Sequence, residues 1–136
     1  MKKILYDHQM FTFQRFGGVT RYFADLMYNL PQDEFRADLP MRYCENHYVT
    51  ETYGHKFDKF AFPENYRIRR RLYEFVNDMV AKRAIKNGDY DIFHPTYYNP
   101  YFLNYLKKRQ KPLVLTIHDM TFERFPHEVL VYDKTI

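Results

Sequence analysis

Cysteine is nearly absent from this chain of 136 residues, which has one at Cys44 and no tryptophan at all. A lone cysteine cannot form a disulfide within the chain, and it excludes a metal site built on paired cysteines. No apolar run approaches the roughly 18 residues that a membrane-spanning helix needs. The start, Met1 to Asp7, has a basic flank but lacks the longer apolar stretch of a secretory signal. A reducing, cytoplasmic setting is the simplest expectation.

Several catalytic signatures are also missing. The sequence contains no G-x-S-x-G elbow, no Walker loop, no G-x-G-x-x-G fingerprint and no Cys-His pairing. Hydrolase and P-loop NTPase functions therefore have no support from a motif. No known nucleic-acid-binding motif accompanies the basic residues, so we expect no nucleic-acid partner.

Aromatic residues are abundant, with 14 tyrosines and 13 phenylalanines making up 20% of the chain. A core of this size needs fewer, so some are expected to line a surface or pocket. Tyrosine offers a flat apolar face and a hydroxyl, which suits sugar binding, although core and interface packing is the open alternative. The net charge of +4 favours anionic partners such as nucleotide phosphates or an anionic membrane surface.

Strand-like and helix-like segments alternate along the chain. Hydrophobic spacing and turn residues predict strands at Lys3–Asp7, Phe35–Pro40, Asp91–Phe93 and Leu113–Ile117, and helices at Val19–Leu30, Tyr66–Asn87, Asn99–Lys108 and Pro126–Lys134. A loop is expected at residues 8–18, after the first strand. The stretch Arg42–Asn65 has no clear period and is interpreted as a long, partly ordered insertion. The alternation predicts an α/β fold, a Rossmann-like doubly wound and mostly parallel sheet, in one domain.

The helix at Tyr66–Asn87 carries the clearest helical pattern. One apolar stripe is expected to face the core, and it comprises Ile68, Leu72, Phe75, Val76, Met79, Val80 and Ala84. A basic run opens this helix, at Arg67 and Arg69–Arg71; a solvated charged face is favoured, with contact to anionic lipid as the alternative. The β-branched segment Leu113–Ile117 is expected to be a buried strand.

Three histidines each follow the end of a predicted strand: His8, His94 and His118. Because the carboxyl ends of parallel strands share one edge, where ligands bind, this spacing predicts a ligand site at that edge. His118 is a candidate for a sugar hydroxyl or a developing charge, and Asp119 for orienting its ring; a purely structural histidine is the alternative. The same histidines with Asp7 and Asp119 would also suit zinc, which leaves a metal-dependent enzyme as another alternative.

A glycine pair lies between the first strand and its helix, at Gly17 and Gly18, with Arg21 close behind. Glycines there let a phosphate approach the free N–H groups and positive dipole end of the following helix. A simple tight turn is the alternative. Tyr97 and Tyr98 precede a helix on the same edge and are candidates for contacts with an acceptor substrate.

Three segments together resemble the N-terminal domain of glycosyltransferase family 4. They are ILYDHQMFTFQRFGGVTRYFADL at residues 4–26, DIFHPTYYNPYF at 91–102 and KPLVLTIHDMTFERFP at 111–126. The resemblance implies the GT-B architecture, in which two Rossmann-like domains face each other, and a mostly retaining sugar transfer. It also implies a nucleotide-diphosphate sugar as donor substrate, with no further cofactor and no metal for the chemistry.

The resemblance assigns roles to individual residues. It places Gly17 and Gly18 near the donor diphosphate and His118 against the transferred sugar. Asp119, next to His118, is expected from its position alone either to orient that ring or to cap the next turn. It places His94, Tyr97 and Tyr98 in the loop that faces the acceptor. The strand-end position of His8 adds it to the expected acceptor side, and the insertion Arg42–Asn65 falls where such enzymes vary to fit different acceptors.

The family holds its donor mainly with a second domain, through an Arg/Lys pair and a Glu-x7-Glu segment. Residues 1–136 lack both, so we expect them to be the N-terminal domain alone, inactive without a C-terminal donor-binding domain. The whole protein is expected to be a hexosyltransferase of polysaccharide biosynthesis, using a saccharide or lipid-linked acceptor. A stand-alone Rossmann-like binding or regulatory domain is the alternative. Peripheral contact with the inner face of a membrane and a dimer of the fragment are left open.

Overall fold

The computed structural model describes residues 1–59 and 64–124. Its strands are β1 (Lys2–Tyr6), β2 (Phe35–Asp38) and β3 (Ile92–His94). Its α-helices are α1 (Gln9–Phe13), α2 (Gly18–Tyr28), α3 (His47–Tyr53), α4 (Tyr66–Asn87), α5 (Leu103–Arg109) and α6 (Thr121–Arg124), with single 3-10 turns at Gly54–Lys56 and Pro100–Phe102. The helix predicted at Pro126–Lys134 lies outside the described residues.

The strands form a parallel sheet in the order β2-β1-β3. An isolated parallel bridge between Phe93 and Leu113 extends the order past β3. The first connection therefore places β2 on one side of β1, and the later connection places β3 on its other side. Because the direction of winding reverses at β1, the gap between the carboxyl ends of β1 and β3 is a topological switch point. The predicted α/β, Rossmann-like class is confirmed.

The sheet is covered on both faces because side chains of β1 alternate. Ile4 and Tyr6 pack with Phe23 of α2 in one buried cluster. Leu5 points to the opposite face and packs with Ile85 of α4 in a second cluster, which also takes in Phe102 and Leu106 beside α5. Helices on both faces make the sheet doubly wound.

Helix α4 begins and ends where the sequence predicts. The Asn65 side chain accepts hydrogen bonds from the backbone N–H groups of Arg67 and Ile68, capping the first turn. Gly88 ends the helix in the left-handed conformation, with φ of 72°. Its 22 residues span about 33 Å. Within the described ranges, no helix has the length and apolarity needed to cross a membrane.

The orientation predicted for α4 is wrong. Four members of the predicted core stripe are exposed, by 53% at Ile68, 43% at Leu72, 65% at Phe75 and 50% at Met79. We call these four residues the α4 stripe. The other three predicted members, Val76, Val80 and Ala84, are only partly buried. The buried face instead carries Tyr73, Asn77, Ala81 and Ile85, which are four residues apart.

A buried amide explains this rotation of α4. The Asn77 oxygen accepts from the backbone N–H groups of Arg42 and Tyr43 at 2.9 and 3.0 Å. Its amide nitrogen donates to the Tyr43 carbonyl at 2.8 Å and to the Thr12 hydroxyl at 3.0 Å. With all these hydrogen bonds made, burying a polar side chain costs little, so Asn77 can face inward.

The predicted buried strand at Leu113–Ile117 is also wrong. Only Leu113 forms a bridge, through hydrogen bonds from the Phe93 N–H to the Pro112 carbonyl and from the Val114 N–H to the Phe93 carbonyl, both 2.9 Å. The segment lies at the edge of the sheet, and its apolar side chains are exposed by 43 to 58% at Leu113, Val114, Leu115 and Ile117.

Two segments predicted to be irregular contain helices. Helix α1 lies in the expected loop after β1, and α3 lies in the insertion, where the Asn46 side chain caps it by accepting from the Val49 N–H. Apolar periodicity could not reveal such short helices. Cys44 lies fully buried beside α3, and burial raises the pKa of its thiol to about 12, so the thiolate is not formed at neutral pH.

Candidate functional site

A buried carboxylate joins the two loops at the switch point. One oxygen of Asp7 accepts from the Thr96 N–H at 2.8 Å and from the Thr96 hydroxyl at 2.7 Å. The other accepts from the Gln9 amide at 2.6 Å and from the Tyr101 hydroxyl at 3.3 Å. Asp7 is fully buried. This network fixes the backbone of both loops, so the side chains that follow β1 and β3 are held in place.

Gln9 adds a second tie between the same loops. Its side-chain oxygen accepts from the Asn99 N–H at 3.1 Å, and its amide nitrogen lies 3.2 Å from the Asn99 carbonyl. No motif in the sequence indicates that Gln9, Thr96, Asn99 and Tyr101 belong to this site. The available signal was position, since all four lie within eight residues of a strand end.

His94 and His118 lie together against α2. Their rings are 5.3 and 5.4 Å from the Phe23 ring. The His94 Nε2 lies 2.8 Å from the Thr116 hydroxyl, and the His118 backbone N–H donates to the Tyr98 hydroxyl at 2.9 Å. The structure therefore brings together three of the residues predicted from the sequence: His94, His118 and Tyr98.

Both imidazoles are kept neutral. Burial lowers the pKa of His118, and burial is also the main cause that lowers the pKa of His94. The negative charge of Asp7 acts to raise the pKa of His94, and the neighbouring His118 acts to lower it further. Within the described part of the chain, the buried His118 Nε2 has no hydrogen-bond partner. A bound ligand could supply that hydrogen bond.

Helix α2, which begins at the glycine loop Gly17–Gly18, lies beside this pair of histidines. The Tyr22 ring in α2, just after the loop, is 5.2 Å from the His118 ring. A Cβ added at Gly17 would lie 2.2 Å from the Gln14 side-chain oxygen, whereas one added at Gly18 would meet nothing within 4 Å. The fold therefore leaves open space next to Gly18, at the amino-terminal end of α2.

Arg21 and Asp119 are on the surface near this end of α2. The Arg21 guanidinium lies 3.6 Å from the Asp25 carboxylate, and both side chains are about two-thirds exposed. An exposed pair of this kind is weak, so Arg21 is available to a phosphate. Asp119 is exposed and directly follows His118.

His8 belongs to a separate group. It lines a cleft of about 470 Å³ between α1 and α4, which we call the α1–α4 cleft. The remaining walls of the cleft come from Gln9, Phe13, Arg71, Glu74, Phe75, Asp78, Lys82, Asn99 and Tyr101. The His8 ring lies 6.3 Å from the Tyr101 ring, and the residue is only 3% exposed.

The two ring nitrogens of His8 differ in their hydrogen bonding. Its Nδ1 lies 3.1 Å from the Thr12 hydroxyl, which also accepts from the Asn77 amide at 3.0 Å. Among the described residues the buried His8 Nε2 has no hydrogen-bond partner. Burial is the main cause that lowers the pKa of His8 and keeps it neutral, and the charges of Asp7 and Asp78 oppose that shift.

Tyr97 and Tyr98 lie between the two groups. Their rings are 5.0 Å apart, and Tyr97 also contacts Phe13, a wall of the α1–α4 cleft, at 6.0 Å. Tyr98 contacts the backbone of His118. Both are about two-fifths exposed, so this tyrosine pair connects the α1–α4 cleft to His118 along an accessible aromatic surface.

The three histidines follow the carboxyl end of one sheet, yet they do not converge. In the part of the chain that the structure describes, no three His, Cys, Asp or Glu side chains are grouped closely enough to hold a metal ion. The ligand set considered from the sequence, with Asp7 and Asp119, is therefore not assembled. Asp7 is already engaged by four donor groups of the protein.

The parallel sheet, its switch point and the polar groups at its carboxyl edge define a Rossmann-like domain with a ligand edge. The sequence profile of Glycosyltransferase Family 4 matches residues 16–134, so this chain belongs to glycosyltransferase family 4. No curated protein and no solved structure matches the chain. The resemblance seen in the three segments is confirmed, and the chain is a glycosyltransferase-related domain whose family has the GT-B architecture.

Proposed function

We propose that this chain is the N-terminal, acceptor-side domain of a retaining glycosyltransferase that uses a nucleotide-diphosphate sugar. The acceptor is a saccharide, free or lipid-linked, and the donor is held mainly by a C-terminal domain. The residues 1–136 then bind donors poorly and are inactive alone. Because nucleotide sugars are cytoplasmic metabolites, the same proposal places the enzyme in the cytoplasm.

One observation carries the donor side of this proposal: His118 lies against Tyr22, one turn into the helix that the glycine loop opens, at a ring distance of 5.2 Å. A donor whose diphosphate approaches Gly18 would thus have its sugar close to His118. The open space at Gly18, at the amino-terminal end of α2, supports such an approach, since helix N-termini present free N–H groups to phosphates.

The chemistry required of this domain is modest. As the bond between sugar and diphosphate breaks, negative charge develops on the phosphate, and fixed N–H donors with a helix dipole stabilise it. The neutral His118 ring offers Nε2 to a hydroxyl of the transferred sugar. Since Tyr98 holds the backbone of His118, that ring needs little reorganisation as the transition state forms.

The α1–α4 cleft supports the acceptor side. Its carboxylates, Glu74 and Asp78, can accept hydrogen bonds from sugar hydroxyls, and the His8 Nε2, unpartnered among the described residues, can exchange a hydrogen bond with one. The rings of Tyr101 and Phe13 can pack on the apolar face of a sugar. The tyrosine pair Tyr97–Tyr98 would then guide the acceptor from the cleft toward His118.

The test measures sugar transfer by the longest natural reading frame that contains this chain, before and after His118→Ala. We expect turnover to fall by about 10²–10⁴-fold, the range typical for loss of a positioned catalytic group, while the melting temperature stays unchanged. His118→Gln, which keeps a polar nitrogen in a similar place, should recover part of the loss. Unchanged turnover in both variants would remove His118 from the mechanism.

The same assay separates an enzyme from a binding domain. Residues 1–136 alone should release no nucleotide from any donor, whereas the longer protein should release it only with an acceptor present. A longer protein that transfers no sugar from any nucleotide sugar, yet binds saccharides, would instead be a binding or regulatory domain.

A further inference from the structure

Helix α4 exposes a continuous apolar line. Ile68, Leu72, Phe75 and Met79 recur at spacings of four and three residues, so they share one face, and each is at least 43% exposed. Isolated exposed apolar residues are ordinary, but a contiguous row along a helix marks a surface that contacts a partner or a membrane.

Basic residues continue and flank this row. Arg83 and Lys86 extend the same spacing toward the C-terminal end of α4, and Arg71 lies one turn from both Ile68 and Phe75. Among the described residues, none of these three cations has an ion-pair partner, whereas Arg69 pairs with Glu45 and Lys82 with Asp78. The positive charges beside the α4 stripe are therefore uncompensated.

The acidic residues of α4 lie away from its outer face. Glu74 and Asp78 both line the α1–α4 cleft, and Asp78 is already neutralised by Lys82 at 2.5 Å. The outward surface is thus apolar along most of its length and positive toward one end. A helix of this composition lies in the plane of a bilayer interface, with apolar side chains inserted and cations at the headgroups.

We propose that the α4 stripe binds the surface of an anionic lipid bilayer. A second copy packed in parallel fits less well, because Arg83 and Lys86 of the two copies would then lie close to one another. An antiparallel pair avoids this repulsion, and the measurement of oligomeric state below distinguishes it from lipid binding. The inference goes beyond sugar transfer and does not depend on it, since it rests only on the surface of α4.

The geometry also gives the membrane a place relative to the proposed acceptor site. Arg71 and Phe75 belong both to the outer face of α4 and to the wall of the α1–α4 cleft. A bilayer beneath the stripe would therefore lie next to the mouth of that cleft. A saccharide carried by a lipid could enter it from the headgroup layer.

The test is cosedimentation of the chain with vesicles of phosphatidylcholine alone and with vesicles that also contain phosphatidylglycerol. Binding is expected only with the anionic vesicles and should weaken as salt is raised. Arg83→Glu with Lys86→Glu should lower the partition coefficient by at least about twentyfold, since each basic residue contributes about fivefold. Leu72→Ser with Met79→Ser, two stripe residues outside the α1–α4 cleft, should lower it by about tenfold or more.

A matched control is available on α5. Lys107→Glu with Lys108→Glu makes the same charge change at two exposed residues of another helix and should leave most of the binding intact. Circular dichroism and melting temperature check each variant, and Met79→Ser alone replaces any pair that does not fold. Equal binding to both vesicle types, or an equal loss in the α5 control, would overturn the proposal. So would stripe variants that change the oligomeric state in ultracentrifugation and not vesicle binding.

Failure of this inference is distinguishable from failure of the proposed function. Vesicle binding is measured without donor or acceptor, and transfer to a water-soluble acceptor is measured without vesicles. Stripe variants should lose the first activity and keep the second.

Discussion

The Asp7 carboxylate accepts hydrogen bonds from both the backbone N–H and the hydroxyl of Thr96, at 2.8 and 2.7 Å, across the gap between the ends of β1 and β3. The two residues are 89 positions apart in the sequence. Their hydrogen bonds hold the loop after β1 and the loop after β3 in one fixed arrangement. The residues proposed to bind ligands at this edge depend on that arrangement.

The first prediction follows from this contact. Asp7→Ala removes the buried acceptor of four hydrogen bonds and should lower the free energy of unfolding by about 3 kcal/mol or more. Thr96→Val removes one donor and should cost about 1–3 kcal/mol. Urea denaturation measures both. Asp33→Ala, at an exposed turn, is the control and should stay within about 0.5 kcal/mol of the parent chain.

The second prediction tests the orientation of α4. Asn77→Ala removes four buried hydrogen bonds and should destabilise the chain by about 3 kcal/mol. Phe75→Ala, two residues away on the exposed face, should cost no more than about 0.5 kcal/mol. Thermal or urea unfolding of the two variants measures which substitution costs more stability. The reverse ranking would show that the apolar face of α4 points inward after all.

The third prediction concerns pH. His8, His94 and His118 have pKa values lowered by burial, whereas in the unfolded chain they titrate near 6.5. Below about pH 6.5 the unfolded state therefore binds more protons than the folded state, and stability falls as pH decreases. The loss is at most about 1.4 kcal/mol per histidine for each pH unit, down to the folded pKa.

Urea unfolding at several pH values between 7.5 and 5 measures this slope. His8→Gln should flatten it by removing the most buried of the three imidazoles. A stability that stays constant across this range would mean that these rings are solvated in the folded chain.

The fourth prediction compares two glycines. Gly18→Val places its side chain in open space and should leave the melting temperature nearly unchanged, while donor use by the longer protein falls. Gly88→Val forces a branched residue to a φ of 72° against Arg109 and should cost more than about 1 kcal/mol. If Gly18→Val unfolds the chain instead, the glycine serves a tight turn and not a phosphate.

Local signals in the sequence were sufficient for much of the fold. Tyr66–Asn87 was bounded correctly because Gly88 is a local stop signal, and such signals depend only on the immediate backbone. The parallel sheet followed from the alternation of strands and helices. The position of His94 follows from a strand end that is right to within one residue, whereas of the described residues near His118 only Leu113, five residues earlier, pairs with the sheet.

The two predictions that were wrong, on the buried face of α4 and on the strand Leu113–Ile117, depend on contacts with residues far away in the sequence. Hydrophobic periodicity ranks side chains by polarity, so it could not foresee that Asn77 would be buried by hydrogen bonds to Arg42 and Tyr43, more than 30 residues away. It could not foresee that Leu113–Ile117 would lie at a sheet edge, because burial of a strand depends on its neighbours. The Asp7–Thr96 contact was hidden for the same reason.

The exposed edge beside Leu113 has a practical consequence. Within the described ranges no strand pairs with the far side of this segment, and its leucines, valine and isoleucine face solvent. Such an edge recruits the backbone of neighbouring molecules, so concentrated samples of this chain should cloud and precipitate well before dilute ones do. Leu115→Lys, which places a charge on an outward position, is the simplest change for keeping it in solution.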